Sequence, residues 1–353
     1  MTVTQKILFG SPGTGKSYTI VNHYLPKLQI ERESKNCIKT VFHPEYSYGD
    51  FMGKLLPLTN KDGKVTYHFY EGHFLRALAQ AYKNMLDTEE GKETQNVVLI
   101  IDEINRGNSA AIFGTAFQLL DRESDGWSSY EINISELEFK KMLHLIGIEE
   151  ETMTKKGKVI PVYEYEKIKN PLERIKVGDD LKIKIPPNLH IIATMNTSDN
   201  SIYFMDSAFK RRWDWEFIDI KRKDQNRFRE SDQQVTNVIN SREKWEKFVD
   251  AINAFIKSHS EKIRRIEDKQ IGYYFLKCDF DNGEKINPEL FRTKLMFFLW
   301  DSVFINDKKP LLDLLNETRA DNLKIDKKKL VTFGDFIELF EEFFLQIKKR
   351  ASI

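Results

Sequence analysis

A chain of 353 residues, 41% hydrophobic and 31% charged, is long enough for two or three domains with ordinary cores. Its net charge of +1 gives no global field for nucleic acid or a membrane surface, and no run of about 18 apolar residues is present to span a bilayer. Cys37 and Cys278 stand far apart with no C-x-x-C spacing, which argues against a zinc site or a disulfide framework and for a reducing, cytoplasmic setting.

The chain opens on its most informative stretch. Lys6-Ile-Leu-Phe9 reads as a short buried strand, followed by Gly10-Ser-Pro-Gly13-Thr-Gly15-Lys16-Ser17, a complete match to G-x-x-x-x-G-K-[ST]. Tyr18–Tyr24 reads as a helix that runs until Pro26. A strand, a glycine-rich loop and a helix start in this order make a phosphate cradle, because backbone N–H groups converge there and the helix terminus adds partial positive charge. Gly10, Pro12, Gly13, Thr14, Gly15, Lys16, Ser17 and Tyr18 are the candidate nucleotide-binding set. Lys16 suits the β- and γ-phosphates, and the Ser17 hydroxyl suits Mg²⁺.

Further along, Ile38–Phe42 reads as a second strand that enters an aromatic, turn-rich loop, His43–Phe51. Asn60–Gly63 reads as a turn between short strands, one of them Val65–Phe69, and Phe74–Tyr82 has helical period. In Asn96–Glu103 five consecutive residues, Val97–Ile101, are branched or aliphatic, the pattern of a parallel strand buried on both faces, and the run ends in Asp102-Glu103. Carboxylates at a strand's C-terminal tip lie where open α/β sheets bind ligands. A helix is expected over Ala110–Leu120.

Residues 123–187 are polar and broken by Gly and Pro. They read as an elaboration inserted into the sheet domain, with hairpin elements near Lys158–Val162 and Leu181–Ile185. Leu189–Asn196 is the next buried strand, ending in polar residues. A helix-like Ser201–Lys210 leads to Arg211-Arg212, and the alternating Trp213–Ile218 closes the sheet domain. Beyond Lys221 the pattern is helical, with Trp245, Phe248, Val249, Ile252 and Phe255 at three- and four-residue steps and further helices in Pro288–Phe304 and Phe333–Ile347. The expected fold is α/β: a three-layer nucleotide-binding domain with a parallel central sheet over 1–220, then a smaller all-α lid over 221–353.

The order of phosphate loop, acid pair, strand ending in Asn, paired arginines and helical region resembles the AAA+ superfamily. Three segments, Phe42–Phe51, Ile101-Asp-Glu-Ile-Asn-Arg106 and Met195-Asn-Thr-Ser-Asp199, resemble its McrB branch, the motor subunits of modification-dependent, type IV restriction systems. The resemblance is densest over 5–121 and 188–218. It implies that Gly13, Gly15, Lys16 and Ser17 bind phosphates and Mg²⁺, that Asp102 supports Mg²⁺, and that Glu103 orients the attacking water. Asn196 matches the polar sensor near the γ-phosphate, and Asn105 with Arg106 helps build the site. Arg211 or Arg212 would reach a neighbouring subunit's nucleotide as an arginine finger. Asn200 stands where such signatures often continue with Arg, and Arg264 and Arg265, or the Ile271–Phe275 turn, are candidates for the second domain's sensor.

The resemblance further implies self-association into a ring, most often a hexamer, and a nuclease partner resembling McrC, with DNA handled by the assembly. Phosphate contacts do not read the base. The McrB resemblance favours GTP and the superfamily at large favours ATP, in either case with Mg²⁺. Nine residues before Gly10 leave no room for a target-recognition module, which is expected either on a removed segment or on a partner. The alternative function is that of an AAA+ ATPase of MoxR or chaperone type that remodels proteins.

Overall fold

The computed structural model describes all residues except 1–2, 156–157, 167, 179, 197–202, 204, 219–228, 264–265, 274, 277, 279, 281–282, 284, 318 and 321–322. Chain contacts divide it into two compact units, Met1–Trp213 and Asp214–Ile353.

Twelve strands occur among the described residues: β1 (Gln5–Gly10), β2 (Cys37–Val41), β3 (Gly53–Thr59), β4 (Val65–Glu71), β5 (Val97–Asp102), β6 (Ile132–Asn133), β7 (Glu149–Lys155), β8 (Lys158–Tyr165), β9 (Ile168–Lys169), β10 (Lys182–Ile183), β11 (Leu189–Asn196) and β12 (Asp214–Phe217). Five of them form the central sheet in the order β12-β1-β11-β5-β2. β1 with β11, β11 with β5, and β5 with β2 are all parallel pairs. β11 is buried along its whole length and β5 along all but its last residue, as their aliphatic runs require in a sheet covered on both faces. The helix His73–Asp87 packs on β5, β2 and β11.

The register positions the site. Gly10 at the end of β1 lies beside Asn196 at the end of β11, and Ala193 lies beside Ile101, one residue before Asp102. Phosphate loop, polar strand end and acid pair therefore share one edge of the sheet, although about 90 residues separate each from the next in sequence.

Three helical expectations are corrected. The first helix does not stop at Pro26. It runs as Lys16–Thr19, widens into a π turn over Ile20–Tyr24, and continues as Leu25–Lys27, so the chain stays helical through Pro26. The helix after the acid pair is α-helical only over Ser109–Phe113 and becomes a 3₁₀ segment over Gly114–Leu120. Gly114 adopts φ 51°, ψ −128°, and a Cβ there would meet the Tyr48 ring at 2.9 Å, so only glycine fits this break. Of the expected Ser201–Lys210 helix, residues 201, 202 and 204 lie outside the described residues, and the described helix is Ser207–Lys210, begun where the Asp206 carboxylate caps the Phe209 N–H at 2.6 Å.

Residues 123–187 form an elaboration of β6 paired with β10, the helix Glu136–Ile146, and an antiparallel sheet β7-β8-β9. That helix carries a capping box between Ser135 and Glu138 and ends at Gly147 with φ 94°. β3 and β4 form a separate antiparallel ribbon around the expected Asn60–Gly63 turn.

A run of rings binds the loop after β2 to the segment that carries the arginines. Phe42 meets Phe51 at 6.0 Å, Phe51 meets Phe113 at 4.6 Å, Phe113 meets Phe209 at 5.4 Å, and Phe209 meets Trp213 at 5.8 Å. At the opposite end of β11, buried His190 accepts the Thr4 N–H on Nδ1 at 2.9 Å and donates from Nε2 to Asn96 Oδ1 at 3.1 Å. Burial and the nearby Arg122 guanidinium push its pKa down to about 4. Burial also lowers Arg122 itself, to about 9, while Arg122 ties the Gly126, Pro186 and Leu189 carbonyls together.

The second unit is mainly helical, with its main helices at Arg229–Val238, Arg242–Lys257, Lys309–Asn316 and Phe340–Ala351. The apolar stripe Trp245, Phe248, Val249, Ile252 and Phe255 is buried in full. Phe248 packs on Phe291 and Phe344 at 5.3 and 5.5 Å. These aromatics are core. Among the described residues no helix is long and apolar enough to cross a membrane.

Candidate active site

The phosphate loop bends through positive φ at Gly10 (151°), Gly13 (78°) and Gly15 (89°). A side chain at Gly13 or Gly15 would be strained. Gly15 is also the N-cap of the following helix and, being glycine, supplies no side-chain cap to its first turn. Thr14 closes the loop on itself, its hydroxyl donating to the Ser11 carbonyl at 3.0 Å. The Lys16 side chain turns back across the loop and donates to the Gly10 and Ser11 carbonyls at 3.1 and 2.8 Å, with the residue only 8% exposed. Pro12, Gly13, Ser17 and Tyr18 are exposed, Tyr18 to 60%.

The acid pair is built differently at its two members. Asp102 is the last residue of β5, and its Oδ1 accepts the Thr194 hydroxyl at 2.6 Å. Glu103 takes φ 55°, a conformation uncommon outside glycine. Glu103 Oε1 accepts from Asn196 Nδ2 at 2.5 Å, and Oε2 lies 3.6 Å from Arg106 Nε. Asn105 is 2% exposed and donates from Nδ2 to the Asn196 carbonyl at 2.9 Å, while its own carbonyl accepts the Tyr203 N–H.

The paired arginines part company. Arg211 is exposed. Arg212 bonds Asp121 Oδ2 through Nε at 2.9 Å and Nη2 at 2.7 Å, donates to the Ala208 carbonyl, and lies 3.9 Å over the Phe117 ring. Thr197–Asp199, Asn200, Arg264 and Arg265 lie outside the described residues.

Sequence reasoning named the loop, the acid pair and Asn196, which the structure brings to one sheet edge. It missed Thr194, whose signal was available: it stands two residues before Asn196 on a strand, and so on the same face. It also missed Asp121 and Phe117, which are tertiary partners of Arg212 with no local signature.

Ser17 and Asp102 offer hard oxygen donors, the ligand type that Mg²⁺ takes, and Asp102 keeps Oδ2 without a partner among the described residues. The donor set therefore fits this ion.

A phosphate loop on β1, an acid pair on β5 and a polar strand end on the β11 between them define a P-loop nucleoside triphosphatase. Residues 5–213 match the AAA domain of the dynein-related subfamily. The type II restriction enzyme BsuMI component YdiS of Bacillus subtilis (strain 168) is 30% identical over 362 residues, covering 95% of this chain and 85% of that protein. The type IV methyl-directed restriction enzyme EcoKMcrB subunit of Escherichia coli (strain K12) is 26% identical over 217 residues, covering 61% of this chain and 35% of that protein. The chain belongs to the AAA family, as an McrB-like NTPase subunit of a restriction system.

Proposed function

We propose that this chain is the motor of its restriction system: it assembles into a ring, hydrolyses GTP in preference to ATP, and drives DNA translocation for a partner nuclease resembling McrC. The observation that carries the reading is the β1-β11-β5 register, which sets Gly10, Asn196 and the Asp102-Glu103 pair on one sheet edge. Residues 1–220 serve as the nucleotide-binding domain and 221–353 as a helical lid, in the cytoplasm.

Each side chain has one task. Lys16 exchanges the Gly10 and Ser11 carbonyls for β- and γ-phosphate oxygens. Gly10, Pro12, Gly13, Thr14 and Gly15 shape the loop, and exposed Tyr18 lies alongside the nucleotide. Ser17 and Asp102 hold Mg²⁺, which when bound neutralises charge on the phosphates. Glu103 orients the attacking water, and Asn196 shares its contacts between Glu103 and the γ-phosphate. Arg211 crosses to the neighbouring subunit, where a cation supplied in trans makes hydrolysis depend on assembly.

The decisive experiment compares GTP and ATP hydrolysis by wild type and Glu103→Gln, with and without the partner nuclease and with methylated or unmethylated DNA. Expected is GTP turnover stimulated by partner and DNA, and a Glu103→Gln protein that binds nucleotide without turning it over. Stimulation by methylated DNA alone marks a type IV system, and equal stimulation by both DNAs marks a type II system. ATP turnover indifferent to DNA and partner but stimulated by unfolded polypeptide overturns the restriction motor in favour of a protein-remodelling ATPase.

A further inference from the structure

The phosphate loop, acid pair and sensor account for binding and hydrolysis, but none explains how two adjacent carboxylates are kept in different jobs. The Thr194 hydroxyl touches both residues, Asp102 at its carboxylate and Glu103 at its backbone N–H. It is 2% exposed and holds a single proton. At 2.6 Å that proton goes to Asp102 Oδ1, and at 3.2 Å the same oxygen accepts the Glu103 N–H. The Thr194 carbonyl takes the next N–H, that of Ile104, at 3.0 Å. Both backbone donors that follow β5 are therefore tied to one residue of β11.

We propose that Thr194 is a positioning residue that divides the acid pair between metal support and water orientation. The inference rests on the nucleotide-hydrolysis reading of this site. Two consequences follow from the geometry. The hydroxyl takes one acceptor site on Oδ1 of Asp102 and so fixes the orientation of that carboxylate, with Oδ2 open to Mg²⁺. By holding the Glu103 N–H it keeps Glu103 in its φ 55° conformation, which strains a residue with a Cβ and is sustained by such contacts. In that conformation the Glu103 carboxylate meets Asn196, while the Asp102 carboxylate meets Thr194.

Thr194 and Asn196 also share a face of β11, so one strand end carries both the clamp on the acid pair and the group that meets Glu103. A shift of β11 would move both together. The bland alternative, a buried threonine that merely satisfies a strand end, would affect stability and leave the chemical step alone.

The variants that separate these are Thr194→Val, which keeps shape and removes the hydroxyl, and Thr194→Ser, which keeps the hydroxyl and removes a methyl group. Full-length protein is measured for kcat and KM of nucleotide hydrolysis and for thermal melting. Binding of a fluorescent nucleoside triphosphate analogue is measured with and without Mg²⁺. Thr194→Val is expected to lower kcat about 10- to 100-fold with KM within about threefold, as the loss of a hydrogen bond to a charged group implies. It should also shrink the Mg²⁺-dependent gain in analogue affinity about tenfold, with metal-free binding unchanged. Thr194→Ser should recover kcat to within about threefold of wild type.

If Thr194→Val keeps wild-type kcat and Mg²⁺ gain, or if Thr194→Ser loses as much as Thr194→Val, the proposal fails. If Thr194→Val does not fold, Thr194→Ser against Thr194→Ala decides by the same readouts. Glu103→Gln, run alongside, keeps the two readings apart. Unchanged turnover there overturns the hydrolytic site itself, whereas a dead Glu103→Gln with an unimpaired Thr194→Val overturns Thr194 alone.

Discussion

Arg212 is paired to Asp121 at 2.7 Å inside its own subunit, with its side chain only 8% exposed, while the adjacent Arg211 points to solvent. The two arginines therefore have different work. An arginine that serves a neighbour must be free to leave, and Arg212 would have to abandon Asp121, the Ala208 carbonyl and the face of Phe117.

Arg211→Ala should lower assembly-dependent hydrolysis by at least about 100-fold and leave the melting temperature unchanged. Arg212→Ala should destabilise by about 2 kcal/mol, discounted from a fully buried pair because Asp121 remains 31% exposed. Melting curves and steady-state rates across a range of protein concentration check both. A normal melting temperature with lost concentration dependence in Arg212→Ala would reverse the assignment.

Asn105 offers a second separation. Its Nδ2 donates to the Asn196 carbonyl, a contact that supports the strand end. Asn105→Ala removes that support and should lower kcat about tenfold, a loss of one buried hydrogen bond. Asn105→Asp puts a carboxylate oxygen against the Asn196 carbonyl and should cost more than the alanine change. Nucleotide affinity, measured by titration calorimetry, should stay within about threefold of wild type in both. A large loss of affinity in Asn105→Ala would instead place Asn105 on the nucleotide.

The ring chain through Phe113 gives a stability test. Phe113 is fully buried between Phe51, Phe209 and Trp213, at 4.6, 5.4 and 6.2 Å. Phe113→Ala should cost about 3–5 kcal/mol and Phe113→Leu distinctly less, read from urea midpoints at constant slope. Because Phe209 stands two residues before Arg211, the alanine variant should also lose assembly-dependent turnover at temperatures where it remains folded. Retained turnover there would mean that the arginine segment is held by other contacts.

What was legible in the sequence is what short-range chemistry dictates. Gly10–Ser17 declares itself because phosphates need glycine backbone and one lysine at fixed spacing. Val97–Asp102 and Leu189–Asn196 declare themselves because a doubly covered strand must be aliphatic throughout. Helix ends were harder to read. The π turn that carries the chain past Pro26 depends on packing rather than propensity, and the break at Gly114 is set by the Tyr48 ring, 66 positions away in sequence. The surroundings of Arg211 and Arg212 could not be separated from two identical letters, since the difference lies in Asp121, Phe117 and the Ala208 carbonyl.

His190 makes the last prediction, and it concerns pH. In the folded chain its Nδ1 must stay unprotonated to accept the Thr4 N–H, and the proton on Nε2 goes to Asn96. Burial and Arg122 hold its pKa at about 4, against an ordinary value of 6.5. The unfolded chain therefore binds a proton that the folded chain refuses. The stability that depends on neutral His190 is complete above about pH 6.5, declines as pH falls toward 4, and changes no further below that. The full span amounts to roughly 3 kcal/mol. Carboxylates also weaken the fold in acid, so the measurement is a difference: melting temperature from pH 7.5 to 4.5 for wild type and for His190→Gln. The variant should start lower at neutral pH, where it forgoes the native network, and the two curves should converge as pH falls. Parallel curves would show that His190 carries no proton linkage, and that the junction of Thr4, β11 and Asn96 is held by packing alone.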